Sequence, residues 1–175
     1  MVTITISGTP GSGKTTVARL LEKKLGLKHI YLGMIFRELA DKEKMTLEEF
    51  GKYCEENPEI DNDLDNRQLE ILKKGDVILE GRLAGWIAYK NNIPALKVSI
   101  DTDIDTRARR IVNREKGSVE YRKDEIIERE RSEALRYKNY YNIDLKDKSI
   151  YDLIIDSKDK SPDEIVEIII KKIEE

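Results

Sequence analysis

A chain of 175 residues, 39% hydrophobic and 38% charged, is apolar enough to bury one core and too short to divide comfortably into two domains. Its net charge of -3 argues against a general nucleic-acid binder, whose affinity comes from a basic, phosphate-neutralising surface. The single cysteine, Cys54, excludes an intramolecular disulfide, a zinc cluster and a redox pair, and the opening run Val2-Thr3-Ile4-Thr5-Ile6 has neither the basic flank nor the long apolar stretch of a leader or membrane anchor. The expectation is a soluble, unprocessed, cytoplasmic protein, monomeric or weakly self-associating, with no membrane or nucleic-acid partner. Lysine, glutamate and isoleucine are abundant and Gln68 is the sole glutamine, a bias that suits a heat-adapted protein relying on surface ion pairs.

Val2 to Ser7 is a β-branched run that ends at Gly8, and Thr15 to Leu25 carries apolar residues at Val17, Leu20, Leu21 and Leu25. That is strand, turn, helix. Strand-like runs recur at His29-Ile30-Tyr31-Leu32, Val77-Ile78-Leu79, Leu96-Lys97-Val98-Ser99-Ile100 and Leu153-Ile154-Ile155. Helix-periodic, charged stretches run from Asp61 to Lys74, Asp105 to Glu115, Lys123 to Tyr141, and Ser161 to Ile173 with Pro162 near its start. Strand and helix alternate, which predicts an α/β fold with a parallel sheet covered on both faces. Neither a repeat nor a Pro/Gly/Ser-rich linker interrupts it, so residues 1–175 read as one domain. The segments Phe36 to Lys74 and Arg107 to Lys148 lack an obvious strand and read as helical, charged insertions, the second holding most of the arginines.

Gly8-Thr9-Pro10-Gly11-Ser12-Gly13-Lys14-Thr15 satisfies G-x-x-x-x-G-K-[ST] after a strand and at the opening of a helix. Glycines let backbone N–H groups turn onto phosphate oxygens without side chains in the way, and the helix start adds unpaired N–H groups and a positive dipole end. Lys14 is placed to reach the β- and γ-phosphates, and the Thr15 hydroxyl to ligate Mg²⁺. The pattern predicts binding of a nucleoside triphosphate. P-loops serve kinases, GTPases and motors alike, but the chain is short for a motor and has no N-K-x-D-like segment to read guanine.

Transfer to an anionic acceptor needs cations on the acceptor's phosphate and on the moving group. Arg37 follows Gly33-Met34-Ile35-Phe36, and Arg82 lies in Glu80-Gly81-Arg82-Leu83-Ala84-Gly85-Trp86. Both sit at carboxyl ends of expected strands, the ligand-binding edge of an open α/β sheet, where the alternative is a solvated surface arginine. Glu80 either holds a magnesium-bound water, or orients the acceptor, or serves as an ion-pair partner. Arg107, Arg110 and Arg114 share one helical face, and Arg129 and Arg136 another. Such stripes either close over ATP or form a solvated, salt-bridged surface with acids such as Glu128 and Glu130. His29 reads as structural rather than as a base, since an ionised phosphate acceptor needs none.

The stretch Gly8 to Thr16, Gly33-Met34-Ile35-Phe36-Arg37, the segment Glu80 to Trp86, Arg129-Glu130-Arg131 with Arg136-Tyr137, and Tyr151-Asp152-Leu153 together resemble the cytidylate kinases, most closely their short archaeal form. The resemblance implies a nucleoside monophosphate kinase fold: a parallel five-stranded core, a monophosphate-binding insertion at about 34–72, and a lid at about 114–142. It implies transfer from ATP to CMP or dCMP with Mg²⁺. Gly8, Thr9, Pro10, Gly11, Ser12, Gly13, Lys14, Thr15 and Thr16 would hold ATP, and Arg37 and Arg82 the acceptor's phosphate. Arg110 and Arg129 look like arginines that meet ATP or the transferring group, with Arg114 and Arg136 further carry-overs. Bacterial relatives have Asp-Gly-Arg where this chain has Glu80-Gly81-Arg82, and their longer insertion means that base-reading residues do not carry over.

A carboxylate accepts from the 4-amino group of cytosine and repels the 4-oxygen of uracil, and Asp61 and Asp65 are the candidates within the first insertion. Their alternative is a helix N-cap and first-turn acid. Rival readings are another small P-loop kinase, such as adenylate kinase or a metabolite kinase, and a nucleotide-dependent binding module that lacks acceptor-stimulated turnover.

Overall fold

The computed structural model describes residues 2–175. Strand β1 (Ile4–Ser7) has all four residues buried, so both of its faces must be covered. It lies at the centre of a five-stranded parallel sheet with β2 (Lys28–Tyr31), β3 (Val77–Glu80), β4 (Leu96–Asp101) and β5 (Leu153–Asp156), in the order β2-β3-β1-β4-β5. Side chains of a strand alternate between faces. Ile4 and Ile6 accordingly join Ile78, Val98 and Ile100 against α1 (Lys14–Leu25) and α8 (Pro162–Glu174), through Val17, Leu21, Ile165, Val166 and Ile169. On the opposite face Leu79 packs with Leu72 of α4 (Pro58–Lys74) and with Ala84 and Ala88 of α5 (Ala84–Lys90).

The expected fold class is therefore the one formed. The run His29 to Leu32 makes the edge strand, except that Leu32 already opens α2 (Leu32–Lys42). The seven-residue α5 lies where no helix was expected, because its sequence begins with Ala84-Gly85-Trp86 and is too short to show a period. Capping boxes fix two other helices. Ser161 with Glu164 forms a capping box ahead of Pro162, and Thr46 with Glu49 another at the start of α3 (Leu47–Glu56).

Helices α2, α3 and α4 fill the connection from β2 to β3, and α6 (Ile104–Glu115) and α7 (Val119–Tyr141) that from β4 to β5. The first group has its own small core, in which Phe50 and Cys54 are buried and Phe36 meets Phe50 edge to face at 4.9 Å. Helix α7 lies along α3. The Tyr140 hydroxyl is within 2.8 and 2.7 Å of the Cys54 and Glu55 carbonyls, and Arg131 pairs with Glu55 at 2.9 Å. Deeper in, Arg136 Nε donates to Asp61 Oδ2 at 2.8 Å, with the two side chains only 3% and 4% exposed. The same guanidinium stacks over Phe36 and Tyr137.

Removing one partner of a buried ion pair leaves the other charge uncompensated. Burial raises the Asp61 carboxyl against the pull of Arg136, so an unpaired Asp61 accepts a proton as pH falls. We expect Arg136→Met to cost about 3–5 kcal/mol in urea unfolding at pH 8 and less at pH 5, and the added change Asp61→Asn to recover part of that loss. An equal cost at both pH values would contradict this account.

Candidate active site

The phosphate loop is bent where only glycine fits. A Cβ on Gly8 would lie 1.9 Å from the Ile100 carbonyl oxygen, and Gly11, at φ +80°, would press one to 2.9 Å from the Arg107 carbonyl oxygen. Beneath the loop, the Thr9 hydroxyl donates to the Asp101 carboxylate. The buried Arg107 donates to the Thr102 carbonyl at 3.1 Å, to the Pro10 carbonyl at 3.4 Å and to Glu130 at 2.9 Å. Arg107 thus holds up the floor of the loop and is salt-bridged to Glu130, the second of the two places open to the stripe it forms with Arg110 and Arg114. Arg110 does reach the loop's upper side, bonding Ser12 O at 3.2 Å and Ser157 Oγ and O at 2.9 and 2.7 Å. Arg114 is exposed and pairs with Glu115.

Helix α1 starts from Gly13 with no side-chain cap, which leaves its first N–H groups and positive end directed at the loop. Lys14 Nζ rests on the Thr9 carbonyl at 3.2 Å. Burial lowers its pKa to about 8, with Arg82 and Arg129 pushing the same way and Glu80 opposing. Thr15 Oγ1 donates to Glu80 Oε1 at 2.6 Å, and the other oxygen of this fully buried carboxylate meets His29 Nε2 at 2.9 Å. His29 is thus a hydrogen-bond partner of Glu80, and Glu80 in turn accepts from the Thr15 hydroxyl.

Arg82 leaves the end of β3 as expected, but it is not free. Its Nε donates to Glu133 Oε2 at 2.5 Å and its Nη1 to the Gly8 carbonyl at 2.7 Å. Arg129 Nε takes the other Glu133 oxygen at 3.2 Å. Burial alone would raise the Glu133 carboxyl, yet Arg82, Arg129 and Arg136 hold it at about 2. Arg37, on α2, has no ion-pair or hydrogen-bond partner among the described residues.

A cleft of about 460 Å³ runs past Gly11, Ser12, Gly13, Lys14, Thr15 and Thr16. Arg37, Arg110, Arg114 and Arg129 also line it. Beside it a recess of about 70 Å³ shares Lys14, Phe36 and Arg129 with the cleft and adds Arg82, Asp61, Asp65 and Gln68. Gly8 and Thr9 shape the loop without lining either space. Asp61 is engaged by Arg136, whereas Asp65 Oδ2 is buried without a donor. Burial pushes the Asp65 carboxyl up to about 7, opposed first by the Tyr141 hydroxyl and then by Arg136 and Gln68, with Asp61 adding to the rise.

Glu133, Ser157, Lys160 and Gln68 escaped the sequence reading. Ser157 and Lys160 lie just after β5, in the polar run Ser157-Lys158-Asp159-Lys160-Ser161, and line the cleft. The rule that ligands collect at the carboxyl ends of parallel strands points to that turn. For Glu133 the signal was its spacing of four from Arg129 and three from Arg136.

Solved structures with the same overall fold include an uncharacterized protein from Eubacterium ventriosum, with a TM-score of 0.73 at 20% identity over 99% of both chains. Shikimate kinase from Bacteroides thetaiotaomicron aligns with a TM-score of 0.63 at 18% identity, again over 99% of each chain. Identities this low speak for the fold alone. Sequence relatives are much nearer. The cytidylate kinase of Methanococcus maripaludis is 48% identical over 172 residues, 98% of this chain and 97% of its own length. That of Methanocaldococcus jannaschii is 50% identical over 88% of this chain and 87% of its own, and that of Thermococcus kodakarensis 49% identical over 95% and 84%. The profile of the cytidylate kinase-like family matches residues 3–159. With nearly the whole chain covered at about half identity, and with the phosphate loop and arginine-lined cleft in place, the protein belongs to the cytidylate kinase-like family.

Proposed function

We propose that the chain transfers the γ-phosphoryl group of ATP to CMP or dCMP, giving ADP and the nucleoside diphosphate. The observation that carries this reading is the pairing of two spaces with different linings. The larger is edged by backbone amides and Lys14, as a triphosphate requires, and the smaller adds arginine and buried carbonyl-type acceptors, as a monophosphate with a polar base requires. An acceptor phosphate oxygen attacks the γ-phosphorus, the bond to the β,γ-bridging oxygen breaks, and ADP leaves with that electron pair. The acceptor phosphate is already ionised, so no general base is needed.

In this reading the loop Gly8 to Thr16 grips the triphosphate, and Lys14, Arg110 and Arg129 neutralise charge on the transferring group. Arg37 and Arg82 hold the acceptor's phosphate. Asp65 accepts from the base, while Asp61 positions Arg136. The Thr15 hydroxyl beside the Glu80 carboxylate offers hard oxygen donors, the kind that suits magnesium. Bound there with ATP, Mg²⁺ would supply charge neutralisation of the phosphates. We propose a cytoplasmic enzyme, monomeric or weakly self-associating, without nucleic-acid or membrane partners. The negative net charge and the buried reduced thiol of Cys54 support this, and no helix among the described residues is long and apolar enough to cross a membrane. ADP release measured with ATP and a panel of monophosphates and small metabolites separates this reading from an adenylate or metabolite kinase, and from a binding module with no stimulated turnover.

Lys14→Ala should fold, by circular dichroism, and lose on the order of 10²–10³ in kcat at saturating ATP. Near-normal turnover would sink its assignment. Arg37→Ala should lower kcat/KM for CMP by about tenfold or more and leave ATP affinity by calorimetry almost unchanged. Because Arg37 has no partner to abandon, this variant is a cleaner probe than Arg82→Ala, which also strands Glu133. Equal weakening of both ligands would contradict the division of labour. Asp65→Asn should narrow the preference for CMP over UMP, measured as a ratio of kcat/KM values, since the amide can donate to the uracil oxygen. An unchanged ratio would remove Asp65 from base reading.

A further inference from the structure

Gln68, the only glutamine in the chain, is 5% exposed on α4. Its amide nitrogen donates to Asp65 Oδ1 at 2.7 Å. Above its raised pKa of about 7 the Asp65 carboxylate can only accept, so at pH 8 this bond holds the amide with its nitrogen towards Asp65 and its oxygen away from it. Among the described residues Oε1 then has no donor, and the only hydroxyl near the Asp65 carboxyl, that of Tyr141, donates to Asn62 Oδ1 at 3.0 Å and leaves Asp65 Oδ2 unpaired. Unpaired buried acceptors destabilise the fold until a donor reaches them. Here two of them sit on side chains that are hydrogen-bonded to one another and line one recess.

The amide packs directly against the turn after β3: a Cβ on Gly81 would lie 3.3 Å from Gln68 Oε1 and 2.8 Å from Leu32 Cδ1, so only glycine fits beside it. Arg82, the next residue, lines the same recess. The slot therefore lies one residue from the arginine assigned to the acceptor's phosphate, and it lacks two donors.

An exocyclic amino group on a flat ring carries two N–H bonds spread by about 120° in the ring plane, one for each acceptor. We infer that Asp65 Oδ2 and Gln68 Oε1 form a two-acceptor slot that takes both hydrogens of the acceptor base's amino group, with Gln68 as a specificity-determining residue. This rests on the reading of the chain as a kinase of cytidine monophosphates. A keto oxygen in the same place meets two acceptors and no proton, and the amide cannot turn its N–H towards it without giving up Asp65. The slot separates amino from keto, and it also separates a primary from a secondary amine. An N4-methyl group removes one of the two N–H donors and needs the volume that Gln68 fills.

The test uses the full chain with saturating ATP and three acceptors: CMP, N4-methyl-CMP and UMP. The parent should use N4-methyl-CMP at least about tenfold less well than CMP. Gln68→Met, similar in volume but without the acceptor, should lose about tenfold in the CMP-to-UMP ratio of kcat/KM values. Gln68→Ala, which opens the slot, should raise the ratio of N4-methyl-CMP to CMP by about tenfold over the parent, its remaining N–H going to Asp65. Thermal unfolding and ATP affinity monitor the fold of both variants. If the parent uses N4-methyl-CMP as well as CMP, the slot is refuted without any variant. An unchanged CMP-to-UMP ratio in Gln68→Met, or no relative gain for N4-methyl-CMP in Gln68→Ala, reduces Gln68 to a support for Asp65 and overturns the inference. Failure of the underlying reading looks different, because then the parent shows no turnover with CMP at all.

Discussion

The cleft beside the phosphate loop brings Lys14, Arg37, Arg110, Arg114 and Arg129 to one space, and Glu133 makes the closest of these cations compatible. Its oxygens are shared between Arg82, from the turn after β3, and Arg129, one turn earlier on α7. Both arginines bear on Lys14, whose pKa is already lowered by burial. Without a carboxylate in their midst, like charges in a low-dielectric space would repel one another and splay the cleft. Glu133 can act only where α7 puts it. The helix is set by Arg136 on Asp61 and by Tyr137 in the cluster with Leu83 and Trp86. The electrostatics of the cleft thus depend on hydrophobic packing outside it.

Local chemistry was legible in the amino-acid order, and distant pairing was not. The phosphate loop and the strands could be read because each is a short contiguous run whose residue types have one good conformation. Asp61 and Asp65 look alike as two acids four apart on one helix. Only the fold, which brings Arg136 to the first from 75 positions along the chain, tells them apart. Arg107 and Arg110 are likewise neighbours on a helix, yet one turns under the loop and the other over it. Of the two glutamates that offer themselves as partners for the arginine stripes, Glu130 does pair with Arg107, whereas Glu128 goes to Arg131 and neither bonds Arg129. Helical geometry favours a partner four residues on, which is Glu133.

The insertion between β2 and β3 is tied to α7 at several depths: the Tyr140 hydroxyl on the α3 carbonyls, Arg131 on Glu55, and Arg136 on Asp61. The exposed members add little, since surface ion pairs contribute about 0–1 kcal/mol. The buried pair sets the register between the two helices. The carboxyl-terminal half of α7 is thus fastened to the helices between β2 and β3, whereas Glu130, near its middle, is fastened through Arg107 of α6 to the phosphate loop.

The central position of β1 also bears on how the protein comes into being. Residues 4–7 pair only with β3 and β4, whose closest partners are Ile78 and Leu96, so every ladder bond of the strand that carries the phosphate loop waits for chain made at least seventy positions later. On a ribosome adding roughly 5–20 residues per second, that strand stays unpaired for several seconds. Residues 4–25 leave the exit tunnel well before the strands that β1 pairs with. The loop after β1 cannot take its final shape until β4 has emerged and Ile100 has closed behind Gly8, so a segment made early is completed by one made much later.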